Sequence, residues 1–447
     1  MVWVLAISVA LLGYVYAGYP VVIWFLARVG GRPVRKGRFE GGVAVLIAAH
    51  NEAETLPRKL ENLRALAEDE PIREIWIGLD GCTDGTGGRL KEGIQNSEFR
   101  IQNARAANLQ PSTGGLEPEI QTANGQHSIF NVPGEGIQNP EFRIQNERAA
   151  NLRVEPVIHV LELEARRGKA AVLNDLMAKA GQSVFVMMDA RQRVEKGAIS
   201  RLLENFADET VGVVSGALVY EPAEGSAPKG ADSYWGYEKF IRRCESRRWA
   251  VPGATGALYA IRRELCQPIP ENTLVDDVLI PMRAVLKGYR CLFEPAARVW
   301  DRPSDRQGQE VLRKRRTLAG IWQMWSLEPR LFSCSGNPIW FEWVSHKFLR
   351  LWTPGAVLLA LVSLGGMAWE GGGALKLLFA GACGVLGTSF LAYWGGKWFS
   401  SRLLGLLGAF FGVNWALLQA AGDAWTGRFE ARWKRGGEPG PQDRLSP

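Results

Sequence analysis

Ile75-Trp76-Ile77-Gly78-Leu79-Asp80-Gly81-Cys82-Thr83-Asp84-Gly85-Thr86 is the stretch that decides the fold. Its apolar run is short, unbroken and ends in a carboxylate. Such a run reads as a strand buried on both faces. The glycines and Asp84 that follow suit a turn into a helix, with Asp84 a candidate N-cap. A second run, Val184-Phe185-Val186-Met187-Met188-Asp189, ends the same way. In an open α/β sheet, ligands bind beyond the carboxyl ends of the strands. Asp80 and Asp189 are therefore expected on one rim, where a nucleotide diphosphate and its metal would sit.

The pattern extends in both directions. Val43 to Ala49 reads as a strand ending in His50-Asn51-Glu52, with a helix from about Ala53. Residues 157–161 form another strand, followed by Arg166-Arg167-Gly168-Lys169 and a helix through Lys179; a Val-rich strand spans 211–219. This alternation predicts an α/β, doubly wound nucleotide-binding domain. One segment interrupts it. EGIQNSEFRIQNARAANLQ at 92–110 returns as EGIQNPEFRIQNERAANLR at 135–153, identical at 16 of 19 positions. Two copies are too few for a solenoid. Residues 93–153 therefore read as an inserted low-complexity excursion, largely disordered or loosely helical. Removing it joins the helix near Gly85 to strand 157–161.

The 447-residue chain has a formal net charge of +7, much of it beside apolar segments. Residues 2–27 carry no charge, and a spanning helix needs about 20 apolar residues. Without a basic n-region or a small-residue cleavage site, 1–30 reads as a retained anchor. Arg28, Arg32, Arg35, Lys36 and Arg38 follow, which puts the following residues on the cytoplasmic side. Residues 338–352 resemble an interfacial amphipathic helix. Apolar stretches at 353–369, 374–394 and 403–425 make 353–425 a membrane region, and 426–447 a basic, disordered tail. The count of spans conflicts with that tail: one anchor and three crossings put the C-terminus outside, whereas Arg428, Arg432, Lys434 and Arg435 favour inside. A re-entrant stretch, or poor spanning by 403–425 with its glycines, Asn414 and Asp423, would remove the conflict. The six cysteines lack close pairing, which excludes a zinc or disulfide framework and fits a reducing compartment. There is no nucleic-acid-binding motif, so the positive charge points to membrane lipids and nucleotide phosphates.

Ala49-His50-Asn51-Glu52, Asp80 to Thr86, Arg167-Gly168-Lys169, Asp189 and Asp276-Asp277 occur in one order. In that order the chain resembles the membrane-embedded branch of the family 2 glycosyltransferases, which includes cellulose, chitin and hyaluronan synthases. The resemblance covers about 40–350 apart from the insert. It implies a GT-A-like nucleotide-diphospho-sugar transferase domain at 40–335, flanked by transmembrane helices in a bacterial inner membrane. It implies a nucleotide-sugar donor, a UDP-sugar, and a polysaccharide or lipid-linked acceptor. Mg²⁺ or Mn²⁺ would offset the diphosphate charge. By the same resemblance, Asp189 is the metal ligand, Asn51, Glu52 and Asp80 surround the nucleoside, and Lys169 lies near the phosphates. Asp277 is the base that takes the acceptor proton, supported by Asp276. Plainer readings stay open: Lys169 as a solvated helix-start residue, Asp276 and Asp277 as a capping pair.

Three departures matter. The family's Asp-x-Asp appears as Asp189-Ala190-Arg191, so either Asp189 holds the metal with waters and phosphate oxygens, or Arg191 supplies charge to the diphosphate itself, or the site is inactive. The Gln-x-x-Arg-Trp window reads Arg313-Lys314-Arg315-Arg316-Thr317. Arg316 matches the family arginine and Arg313 replaces the glutamine, both expected near the diphosphate, although the cluster also suits a membrane-surface patch. Thr317 removes an aromatic platform for the acceptor sugar, for which Trp322 or Trp325 could substitute. Two further readings follow: single-sugar transfer to a polyprenyl-phosphate or sphingolipid-like acceptor, and a non-catalytic subunit of a polysaccharide synthesis and export complex.

Overall fold

The computed structural model describes residues 1–95, 101–103, 155–221, 231–301, 307–395 and 401–427. The expected 426–447 tail and most of the 93–153 insert lie outside them. The described strands are β1 (Val43–Ala49), β2 (Ile72–Asp80), β3 (Ile101–Asn103), β4 (Val157–Leu163), β5 (Val184–Met188), β6 (Arg193–Val194), β7 (Val211–Tyr220), β8 (Leu258–Arg262) and β9 (Arg290–Asp301). They form one sheet in the order β3-β4-β2-β1-β5-β8-β7-β9-β6. The first five in that order run parallel, as the sequence predicts. β8 runs antiparallel to both β5 and β7, so the sheet is mixed. Within 93–153, α-helix continues to Gln95 and Ile101–Asn103 forms an edge strand on β4.

Every residue of β1 and β5 is buried, as the unbroken apolar runs require. Strand alternation divides them between two cores. Ala44, Leu46 and Ala48 pack on one face with Phe185 and Met187. Val43, Val45, Ile47 and Ala49 pack on the other with Val184 and Val186.

The helices are α1 (Val2–Val29), α2 (Thr55–Ala67), α3 (Thr86–Gln95), α4 (Lys169–Lys179), α5 (Ala198–Leu203), α6 (Ala231–Arg248), α7 (Asp276–Leu286), α8 (Gln307–Leu327), α9 (Trp340–Glu370), α10 (Gly373–Gly395) and α11 (Arg402–Thr426). Among the described residues, four are long and apolar enough to cross a membrane: α1, α9, α10 and α11. α1 and α9 each contain a π-helical turn, Tyr14–Gly18 and Trp343–Phe348. The two turns meet where Tyr14 Oη pairs with Ser345 Oγ at 2.8 Å. Beside them the Tyr19 hydroxyl donates to Glu245 on α6, and His346 pairs with the same carboxylate. Residues 338–352 are thus helical from Trp340 but continuous with the following apolar helix, with Glu342, Trp343 and His346 buried against protein.

α11 bears on the conflict over the C-terminus. Asn414 pairs with Thr353 at the start of the main apolar stretch of α9. Beyond it, Ala420 packs on Leu274 and Ala319, and Asp423 accepts from Arg315 Nη2 at 2.6 Å. The last turns of α11 therefore lie against the catalytic domain, and its C-terminal end is on that domain's side. Asp423, which weakens α11 as a span, is the residue that docks it on Arg315, while Gly408 and Gly412 let it approach Ala392 and Tyr393 of α10.

Candidate active site

The carboxyl ends of β1, β2 and β5 form the predicted rim. At the end of β1, Asn51 adopts φ +53°. Its Oδ1 accepts the Thr83 N–H at 2.9 Å, which ties the β1 turn to the β2 turn. Asp84 joins the same ring, accepting from the Ala53 N–H at 3.1 Å and from the Thr86 N–H at 3.1 Å. Asp84 therefore caps α3, as its position suggests. Burial pushes its carboxyl up, but the Thr86 and Ala53 donors outweigh this and hold it below the usual range. Asn51 and Glu52 lie in this ring, both largely buried.

Asp80 ties the end of β2 to the loop before α4. It is 1% exposed, and both its oxygens are engaged by backbone. Oδ1 accepts the Arg167 N–H at 2.6 Å and Oδ2 accepts the Gly168 N–H at 2.8 Å. Asp80 thereby grips the loop that launches α4. Gly168 permits this with φ +100°, a conformation that L side chains adopt with strain. A Cβ on Gly81 would lie 2.7 Å from the Arg166 backbone nitrogen, so only glycine lets the two turns approach.

The gripped loop delivers Lys169 into an acidic cluster. Its ammonium lies 3.0 Å from Asp189 Oδ1 and 3.2 Å from Asp276 Oδ2, with only 12% of the side chain exposed. It is not a solvated helix-start lysine. Burial lowers its pKa, but Asp189, Asp276 and Asp277 overcome this and hold it protonated. Burial likewise raises Asp189, while Lys169, Arg191 and Arg316 prevail and keep it ionised. Asp277 goes the other way. Burial and then the Asp276 charge push it up to about 6, against the pull of Lys169 and the Gly256 N–H. That N–H donates to Asp277 Oδ2 at 2.9 Å. A Cβ on Gly256 would lie 3.0 Å from the same oxygen, so the small-residue run Gly253 to Ala257 serves close approach. The cluster thus pairs a carboxylate kept ionised with one poised near neutrality, the separation that acid–base chemistry uses.

Among the described residues no group of three His, Cys, Asp or Glu side chains converges on an ion position. The donors near Lys169 are all hard carboxylate oxygens, the chemistry of Mg²⁺ and Mn²⁺ and not of zinc. One carboxylate suffices for such an ion when phosphate oxygens and water supply the rest. The set at Asp189 fits on those terms.

Sequence reading missed a second support. Gln323 of α8 accepts the Leu274 N–H through Oε1 at 3.0 Å and donates through Nε2 to the Asn272 carbonyl at 2.8 Å. Arg316 donates to the Leu274 carbonyl at 3.3 Å. Gly320 packs so tightly that a Cβ would lie 2.6 Å from Val275. α8 thus holds the segment that ends in Asp276-Asp277. A glycine in mid-helix was the only sequence signal for this contact. Arg316 reaches the site, while Arg313 is exposed near the start of α8. Thr317 bonds back to the Arg313 carbonyl. Trp322 and Trp325 join a cluster of rings with Phe332, Phe348 and Trp352, with Trp325 60% exposed.

Residues 144–269 match the family model described as glycosyl transferase family 2. A poly-β-1,6-N-acetyl-D-glucosamine synthase from Staphylococcus aureus (strain COL) is 21% identical over 287 residues, 63% of this chain and 52% of that protein. The chain spans about half the length of the curated relatives it matches. Among solved structures, a mannosyltransferase from Pyrobaculum calidifontis in complex with GDP-Man and Mn²⁺ superposes with a TM-score of 0.63 at 18% identity. That match covers 95% of this chain and all of the other. The fold is therefore GT-A-like, and the resemblance drawn from the motif order is borne out.

Proposed function

This chain carries a family 2 glycosyltransferase domain, and from that premise we propose that it is an inverting enzyme at a membrane face. It moves a sugar from a nucleotide-sugar, a UDP-sugar in this reading, to a hydroxyl of a polysaccharide or lipid-linked acceptor. The observation that carries the proposal is the Lys169 ammonium held between Asp189 and Asp276, with Asp277 beside it raised to about 6. Asp277 takes the acceptor proton as the hydroxyl attacks the anomeric carbon in line with the departing diphosphate. With Asp277 as the base, Asp189 on the metal and Asp276 paired with Lys169, this reading leaves no carboxylate in the nucleophile's role and makes inversion the outcome. Asp276 and Lys169 position that base. Arg191, exposed beside Asp189, and Arg316 supply positive charge toward the diphosphate. The carboxylates outnumber the lysine, and an incoming diphosphate adds negative charge. A divalent ion, Mg²⁺ or Mn²⁺, held by Asp189 would offset it and stabilise the leaving group. The manganese recorded with the P. calidifontis mannosyltransferase supports this assignment.

A second reading, single-sugar transfer, rests on one observation. Position 317 offers a threonine bonded to its own helix where the family carries an aromatic platform. A screen of radiolabelled UDP- and GDP-sugars against membranes containing the protein, with sizing of the product, tests both statements. Labelled lipid-sized product supports single transfer, long polymer from one binding event refutes it, and no turnover with any donor refutes catalysis in favour of a role as an export-complex subunit.

A further inference from the structure

Past Val29 the chain leaves α1 and lies along the end of α6. The Arg32 N–H donates to the Arg247 carbonyl at 2.8 Å. A Cβ on Gly31 would lie 2.5 Å from the Ala27 carbonyl oxygen and 3.2 Å from Arg247 Cγ, so this approach needs glycine. Arg290, 2% exposed, fixes the arrangement from beneath. Its guanidinium donates to the carbonyls of Trp249 and Arg32 at 3.0 Å and of Pro33 and Ser246 at 3.3 Å. These contacts frame a cleft of about 240 Å³ lined by Arg32, Lys36, Arg243, Ser246, Arg247 and Glu294, among others.

The charge in this cleft is unbalanced. Its only carboxylate, Glu294, is paired with Lys36. Arg32 lies 4.7 Å over the Trp249 ring. Arg32, Arg243 and Arg247 are exposed, and none forms an ion pair among the described residues. A rigid backbone cradle carrying three such guanidinium groups is an anion site. Its volume is below the ~300–1,000 Å³ typical of pockets for larger organic ligands, which suits a phosphate-bearing headgroup better than a whole nucleotide. The cleft adjoins the α1 turns where Val21, Trp24, Phe25 and Val29 are exposed and Arg28 lies over Trp24. Tryptophan and arginine at the end of an apolar helix mark a bilayer–water boundary. The cleft lies at the start of β9, the end of the sheet opposite Asp189, so it is separate from the acidic cluster.

We propose that this cleft binds the phosphate of an anionic lipid headgroup and thereby fixes how the catalytic domain sits on the membrane. This does not depend on the catalytic reading above. The test measures binding of phosphatidylglycerol to the full-length protein in phosphatidylcholine nanodiscs, with lipid retention followed by native mass spectrometry. The double variant Arg243→Gln/Arg247→Gln is compared with Arg243→Lys/Arg247→Lys and with a control of equal charge change on exposed residues elsewhere, Arg58→Gln/Lys179→Gln. The glutamine pair should weaken phosphatidylglycerol binding by roughly fivefold per arginine, as expected of one basic residue near a membrane surface. The lysine pair should retain most binding, and the control should match the parent. Equal loss in the control, or no loss in the glutamine pair, overturns the proposal. So does inorganic phosphate filling the cleft while phosphatidylglycerol binding stays unchanged, since the site would then serve a free anion.

Discussion

Replacing Asp277 by asparagine should cut turnover by orders of magnitude and make the protein more stable. An ordinary aspartate has a pKa of 3.8, and burial and the Asp276 charge raise Asp277 to about 6. A raised carboxyl pKa means that the folded state binds the proton more tightly than the unfolded state. The resulting cost to folding is absent below pH 4, grows as pH rises through the 4–6 window, and is fully present above it. A shift of two units corresponds to about 3 kcal/mol at neutral pH. Asparagine keeps an oxygen for the Gly256 N–H and removes the repulsion, so it should recover about 1–3 kcal/mol of this. For a domain of this size, that raises the unfolding midpoint by on the order of 5 °C. Activity should fall by about 10²–10⁴, the usual contribution of a positioned base. Thermal unfolding in detergent at pH 7.5 and at pH 4, with sugar transfer in the same preparation, reads both effects. The stability gain should vanish at pH 4, where the parent's Asp277 is already neutral. The parent's kcat/KM should lose activity as pH falls through about 6. A variant that is less stable at pH 7.5, or that keeps its turnover, would refute the assignment of a strained base.

Asp80→Asn places an amide donor against a backbone N–H and loosens the loop carrying Lys169, at about 1–3 kcal/mol; kcat should drop more than nucleotide-sugar KM rises, whereas a role in holding the nucleoside predicts mainly a KM effect. Gln323→Ala removes both side-chain bonds to the 272–274 segment and should lower kcat about tenfold or more with little change in donor binding measured by calorimetry. Arg315 and Asp423 should show a coupling of about 1–3 kcal/mol in a double-mutant cycle of detergent unfolding; additive single losses would mean that α11 is not docked there. Lys59, buried and pulled down to about 7 by burial against the pull of Asp189 and Asp301, should make the parent more stable as pH rises from 7 toward 10, because only the unfolded state then holds the proton. Lys59→Met should flatten that pH dependence of the unfolding midpoint.

The sequence reveals the centre of this sheet more clearly than its far half. β1, β2 and β5 are unbroken apolar runs because both faces are covered, and each ends in polar residues at the rim. β8 is only five residues long, and its antiparallel direction depends on pairing with β5 and β7, which no local pattern encodes. The same limit applies within the site. An aspartate after an apolar run looks identical whether its oxygens meet a ligand or two backbone N–H groups, so Asp80 could be placed but not assigned its role. Lys169 shows the reverse. Its motif marks it as important, but its bridging of Asp189 and Asp276 requires three segments to converge. Gln323 gives no local signal because both its partners are main-chain atoms of another element. Asp423 reads as a defect in a span until Arg315 is found opposite it.

The position of the repeat-bearing segment follows from strand order. α2 and α3 both start at the rim, and they end together, where Arg64 donates to the Gly93 carbonyl. Strand β4 starts at Val157 at that same end of the sheet. Both junctions of the segment, after Gln95 and before Val157, therefore lie opposite the carboxyl ends that carry Asn51, Asp80 and Asp189. β4 is also the outermost strand before Ile101–Asn103 pairs with it. Both junctions thus lie at the sheet edge, on the end away from the chemistry, while Ile101–Asn103 runs parallel to β4. A doubly wound half tolerates length there because its ligand loops are at the other end. An insertion of the same size between Met188 and Arg193 would separate Asp189 from Lys169, and between Leu274 and Asp276 it would break the Gln323 clamp. Excising 96–154 and rejoining the chain should therefore preserve donor turnover, and loss of turnover in a folded deletion variant would show that the segment reaches the rim.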